Sequence, residues 1–297
     1  MHLVREARAT PATALATCTT DLVVCGSMEM SPDNSSQVQS IAERLPVGTK
    51  VYVNHLPRHA PADSLPALIA LRQAGLEPVP HVAARRVLSR PEVHSFLERA
   101  TAEAGVTKVM LIGGDDPQPR GPYADAAALL RDGVLAQCGV REIGIAGYPE
   151  GHPRIAPAAL EQALHDKLAL AAAQGLGAHM VTQFCFAPAR AVEYCASLAH
   201  ALPGLPVYVG IAGPTSPGAL LRFAQRCGVS ASLRALKDQG LGAVRLVTHT
   251  DPGEQLAAIA RYCLPHPSCN VVGVHLFSFG DAVRTADWMR SVVASRA

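Results

Sequence analysis

The stretch DLVVCGSMEMSP, residues 21–32, decides how this chain folds. It reads as a first buried strand, Leu22–Met30, and no GxGxxG turn follows it. Open doubly wound sheets that bind dinucleotides carry that fingerprint after their first strand, whereas closed barrels do not need it. Working outward, seven further Val- and Ile-rich runs follow at Lys50–Asn54, Glu77–Val82, Lys108–Ile112, Glu142–Gly147, His179–Phe186, Val207–Ile211 and Val271–Phe277. Between and after them lie helical patterns at Gln37–Arg44, Ser64–Ala74, Pro91–Ala104, Tyr123–Cys138, Pro157–Gln174, Ala189–Leu202, Pro217–Cys227 and Ala282–Ser295. Eight consecutive βα units predict an α/β fold, a parallel (β/α)8 TIM barrel. The expected organisation is a single domain over 1–297, with an N-terminal extension at 1–20 and a helical insertion at 231–265 before the last strand.

Composition agrees with one large buried core: 49% of the 297 residues are hydrophobic and 17% charged. The net charge of +2 comes from scattered Lys and Arg, not the basic stripe of a nucleic-acid surface, so no nucleic-acid partner is expected. No apolar run approaches the roughly 18 residues of a membrane span, and the first residues, with acidic Glu6, lack a signal-like apolar region. A cytoplasmic location without a membrane partner is therefore expected, and a homo-oligomer is compatible with it. The eight cysteines form no CxxC pair and the twelve histidines no HExxH, so neither a disulfide framework nor a metal is expected.

In such a barrel the chemistry sits where strands end, and these ends are polar. The first closes on Glu29 within Met28-Glu29-Met30, a carboxylate in apolar company that suits a general acid, or else a buried partner for an Arg or Lys. The second ends at Asn54 and the third at Pro80-His81. The fourth runs into Gly113-Gly114-Asp115-Asp116, where glycines allow close backbone approach and an acid can bond a polar heterocycle. A plain turn accounts for that string equally well. The fifth ends in Tyr148-Pro149-Glu150-Gly151-His152-Pro153, whose prolines restrain a phenol, a carboxylate and an imidazole. Gln183 falls within the expected sixth strand, and a buried amide there needs partners.

Taken in order, these ends resemble the methylenetetrahydrofolate reductase family. AGYPEGHP, 146–153, is similar to the family's AxYPExHP, and VTQFCF, 181–186, to ITQxFFD. Weaker likenesses are MEMSP, 28–32, to FEFFPP; EPVPH, 77–81, to xxPH; GGD, 113–115, to RGD; and GIAGP, 210–214, to PGIxP. The resemblance implies an FAD-dependent barrel interconverting 5,10-methylenetetrahydrofolate and 5-methyltetrahydrofolate, with NADH or NADPH as electron donor or acceptor. It implies Glu29 as proton donor, Asp115 as the acid near pterin and flavin, and Gln183 as a folate contact. Asn54, His81, Gly113, Gly114, Asp115, Tyr123, Ala124, Tyr148 and His152 match cofactor-contacting positions.

The departures are specific. Gly113 stands in place of a cation suited to the FAD diphosphate, and Ala172 falls where the family has a lysine, leaving Lys167 as replacement one turn earlier. Ser278-Phe279-Gly280-Asp281 stands in place of TLNR, with Arg284 as a conjectural substitute for its arginine. Two alternatives follow: a flavin-free reductase taking hydride directly from nicotinamide, and a non-catalytic folate-binding barrel. An unrelated lyase or aldolase ranks last for want of a strand-end lysine. Leu220–Phe223 reads as core, and 226–232 equally as an anion-binding helix N-terminus or as a capped surface helix.

Overall fold

The computed structural model describes residues 10–185, 187–216, 218–219 and 252–295. Eight parallel strands close into a barrel in chain order, the first pairing with both the second and the eighth. They are β1 Ser27–Met30, β2 Lys50–Val53, β3 Glu77–Ala83, β4 Lys108–Ile112, β5 Glu142–Gly147, β6 Gly177–Thr182, β7 Val207–Ala212 and β8 Val271–Phe277. The described helices are α1 Pro11–Val24, α2 Val38–Ala42, α3 Leu65–Gln73, α4 Arg90–Ala104, α5 Ala126–Asp132, α6 Val134–Gln137, α7 Pro157–Ala173, α8 Pro188–Ala201, α9 Gly253–Cys263 and α10 Ala282–Ala294. The (β/α)8 expectation is met.

Several boundaries differ from the sequence reading, each for a local reason. Leu22-Val23-Val24 ends α1 instead of opening β1, because a short apolar run fits a buried helix turn as well as a strand. The described part of the extension, from Thr10 on, is thus helical, capped by the Thr10 hydroxyl and packed on α9, α10 and β8. The helix expected over Tyr123–Cys138 starts only at Ala126, where Asp125 caps it, and breaks at Gly133 with φ 80°. β6 stops at Thr182. Its partner β5 ends at Gly147 before the turn in which Gly151 N–H bonds Tyr148 O, so the ladder closes with Gln183 N–H on Gly147 O. Of the insertion expected at 231–265, the part from Gly253 to Cys263 is helical and 231–251 lies outside the described residues, as does nearly all of the helix expected at Pro217–Cys227.

The main core lies between strands and helices, with Leu68, Leu97, Leu129 and Ile143 fully buried. A second cluster fills the barrel lumen: Tyr52, Val79, Met110 and Val181, joined by Ile112, Ala146 and Tyr208. These positions fix which side chains point inward, since a strand alternates faces. Gly144 faces the lumen by this rule; a Cβ there would approach Met110 Sδ at 2.6 Å and His179 Nε2 at 2.9 Å, so only glycine leaves their space. Toward the N-terminal ends the lumen is polar. Lys108 Nζ lies 3.3 Å from both Glu77 and Glu142, Glu142 bonds His179 Nδ1 at 2.6 Å, and His179 Nε2 bonds the Tyr52 hydroxyl at 2.8 Å. The buried Tyr52 and His179 are thereby satisfied, as buried polar groups must be.

Candidate active site

Counting two residues on from the lumen cluster places Asn54 after Tyr52, His81 after Val79, Tyr148 after Ala146 and Gln183 after Val181, all on the inward face at the C-terminal mouth. Glu29 pairs in register with Tyr52 and joins them. Five sequence candidates from five strand ends therefore share one rim.

Glu29 is the chemical centre of the set. Burial raises its carboxyl to about 7, opposed by hydrogen bonds from the Asn54 side chain and the Ser278 backbone N–H, which favour the carboxylate. No local pattern links these three residues: the family resemblance makes Asn54 a cofactor contact, and Ser278 stands where the family has TLNR. The turn presenting Ser278 is unusual. Phe279 has φ 50°, the one positive φ outside glycine among the described residues, and Gly280 follows at 93°. Such backbone in a bulky residue is held only where surroundings over-determine it. Here the Phe279 ring meets Phe184 at 5.2 Å and Phe277 at 6.3 Å, aromatic packing within the main core that holds the turn. Arg284 is exposed on the first turn of α10.

His81 offers the clearest unmet demand. Its Nε2 is buried with no partner among the described residues, and burial holds the ring neutral, its pKa lowered to about 3, with His55 contributing. Tyr148 packs edge-on to His152 at 5.2 Å; burial and then Asp115 push its phenol up. His152 Nδ1 accepts from Arg154 N–H, which holds the loop. Gln183 turns its Oε1 back onto Phe184 N–H at 3.1 Å. Buried Gln255 of α9 steadies the same loop by donating to Cys185 O, an anchor that sequence separation conceals.

Other candidates lie differently. Asp115 stands on the outer rim, 80% exposed, 3.5 Å from Arg154. Its neighbour Asp116 turns inward to bond Arg86 at 2.6 Å and Arg120 at 2.8 Å, so the two adjacent acids divide into an exposed rim group and a structural anchor. Gly114 has φ 93° and Gly113 has open space about it; Gly113 O accepts from Arg85 N–H. The Arg85 guanidinium is committed to the carbonyls of Asp116, Pro117 and Ala124. Tyr123, Ala124 and Lys167 collect at the start of α5, apart from the inward set. The Tyr123 ring is buried in the helix–strand core with its hydroxyl on Asp132, and Lys167, its pKa lowered by burial against the pull of Asp125, sits beside that helix cap.

A partly buried acid tuned near neutrality, a neutral imidazole with an unmet nitrogen and an amide at a barrel mouth are the convergent polar groups that mark a candidate active site. The described residues hold no cluster of three or more metal-ligating side chains, and no described helix is long and apolar enough to cross a membrane. Comparison with known families matches residues 46–239 to the methylenetetrahydrofolate reductase model. The chain belongs to that family, and so to a class of folate-linked reductases. The match holds Asn54, His81, Tyr148 and Gln183; Glu29 and Ser278 lie outside it. Among solved structures, a proposed phosphonomutase from Burkholderia cenocepacia J2315 is 15% identical, covering 77% of this chain and 98% of that one at TM-score 0.44, a likeness that says nothing of chemistry.

Proposed function

We propose that this protein is a flavin-dependent oxidoreductase interconverting 5,10-methylenetetrahydrofolate and 5-methyltetrahydrofolate in one-carbon metabolism. The carrying observation is Glu29: a carboxyl raised to about 7 at the mouth is half protonated near neutral pH, as a general acid should be. Opening the methylene bridge needs a proton at folate N10, and Glu29 delivers it. The Asn54 amide and Ser278 N–H then stabilise the carboxylate left behind. Gln183 can offer both donor and acceptor to the pterin. Asp115 reaches a ligand from the rim only by leaving Arg154.

A bound flavin would supply hydride at its N5. The residues present fit its ring end: His81 brings the unpartnered buried nitrogen, Asn54 and Tyr148 flank it, and His152 stands behind Tyr148. NADH or NADPH is the expected electron donor or acceptor.

A second reading, direct hydride transfer from nicotinamide without flavin, is favoured by the other end of the site. Gly113 brings no cation, and Arg85, Arg86 and Arg120 are already engaged within the chain. The purified protein decides between them. A flavin absorption spectrum together with methyltetrahydrofolate oxidation by an electron acceptor is the expected result. A colourless, active protein supports the second reading, and folate binding without turnover in either direction overturns both.

A further inference from the structure

The rim beside Gly113 has open space and a cation that reaches it from another strand. Gly113 follows the last residue of β4, and a Cβ built on it would meet nothing within 4 Å. Arg85, Arg86 and Arg120 nearby are spent on carbonyls and on Asp116. Arg154 is not. Its guanidinium, 60% exposed, has one partner among the described residues: Asp115, two positions beyond Gly113, at 3.5 Å. The loop after β5 is built to hold it there. Gly151, at φ 75°, turns the chain with its N–H on Tyr148 O at 2.9 Å. His152 then bridges to Ile155, and Arg154 N–H bonds His152 Nδ1 at 3.2 Å. The backbone of Arg154 is thereby tied to the ring that packs edge-on to Tyr148. We propose that Arg154 binds the diphosphate of the dinucleotide cofactor, supplying from the loop after β5 the cation that Gly113 does not supply from β4.

This assignment deepens the cofactor part of the proposed function and rests on it. An ion pair as long as Arg154–Asp115, between two exposed side chains, contributes little to stability. A diphosphate offers the guanidinium fork shorter, parallel N–H···O bonds, so it displaces Asp115 from Arg154. The exchange has a second effect. Asp115, 80% exposed and now without its cation, is repelled by the phosphates and turns away from them, which releases it toward the ligand ring at the mouth. Both charges already lie beside His152, whose imidazole burial and then Arg154 lower while Asp115 raises it. A lysine at this position would keep the charge and lose the fork.

Binding, read without turnover, tests the assignment. The full-length protein, dialysed free of any bound nucleotide, is titrated by calorimetry with FAD, riboflavin, NADH and NADPH. The parent is expected to hold FAD more tightly than riboflavin, which has no phosphate. Arg154→Ala is expected to weaken FAD by ~10–100-fold, leave riboflavin unchanged and flatten the salt dependence, at an unaltered melting temperature. Arg154→Lys should recover part of the loss, and Arg99→Ala, on the outer face of α4 beside Glu103, should behave as the parent does. A loss that falls on NADH or NADPH in place of FAD supports the diphosphate contact and makes the nicotinamide dinucleotide its owner. Unchanged affinity for all three dinucleotides in Arg154→Ala overturns the proposal, as does a parent that binds none of them. So does equal weakening of FAD and riboflavin, which would make Arg154 a prop for the loop, or a loss confined to methyltetrahydrofolate, which would give the guanidinium to the glutamyl carboxylates. The folate reading fails separately: a parent without folate turnover overturns it even where Arg154→Ala weakens FAD.

Discussion

At the scale of single residues, Glu29 links protonation to both rate and stability. Its folded-state value of about 7 lies above the ordinary 4.5, so between those limits the folded protein holds a proton that the unfolded chain lacks. The stabilisation is complete below about 4.5 and lost as pH rises through about 7. Glu29→Gln, neutral at every pH, is expected to stabilise the protein by ~1–3 kcal/mol above neutrality and to change little in acid. The same variant should lower folate turnover by ~10²–10⁴-fold while leaving nicotinamide oxidation through the flavin nearly intact. Equal loss in both half-reactions would make the residue structural. Asn54 acts through Glu29: Asn54→Ala removes a bond that favours the carboxylate, so the alkaline limb of kcat/KM should move to higher pH. An unmoved limb removes Asn54 from that role.

Single elements carry demands that composition does not reveal. Gly210 of β7 faces the β6 backbone, where an added Cβ would stand 2.0 Å from Thr182 O and 2.7 Å from the Phe277 ring. Backbone cannot yield as a flexible side-chain tip does. Gly210→Ala should therefore cost at least ~1–3 kcal/mol by overpacking and lower the melting temperature; wild-type stability would mean that β6 and β7 lie further apart than described. The same contact explains why GIAGP is more than a motif letter. Its first glycine also brings its N–H to the Thr182 hydroxyl at 2.8 Å, holding the end of β6 and with it Gln183.

Across the whole molecule the polar lumen joins strands that meet only when the barrel closes. Glu142 from β5 holds His179 from β6, which holds Tyr52 from β2 across the lumen. The His179 hydrogen bond, outweighing burial, depresses the Glu142 carboxyl to about 2 from 4.5. Its stabilisation is thus present above about 4.5 and lost as pH falls through about 2. At 29% exposure the contribution at neutral pH is of order 2 kcal/mol. Glu142→Gln should lower the urea midpoint at pH 7 and flatten acid unfolding between those limits; a parallel acid limb would show that the pair carries no net stability.

The order of apolar runs and breaks was enough for the barrel, because strand burial and helix period are written locally, and β4, β5 and β8 stand where periodicity put them. Several polar strand ends were legible for the same reason: Glu29, Asn54 and Tyr148 sit where a run stops or just before it, whereas Gln183 was read inside a longer run that the fold ends at Thr182. Leu22–Val24 misled because three apolar residues fit a helix turn and a strand alike. What only the closed fold decided is which polar groups touch. Asn54 and Ser278 on Glu29, Asp116 turned to arginine while Asp115 faces out, and Tyr123 drawn into the core are contacts between distant segments. Their energies depend on distance and burial in three dimensions, and no local pattern carries either.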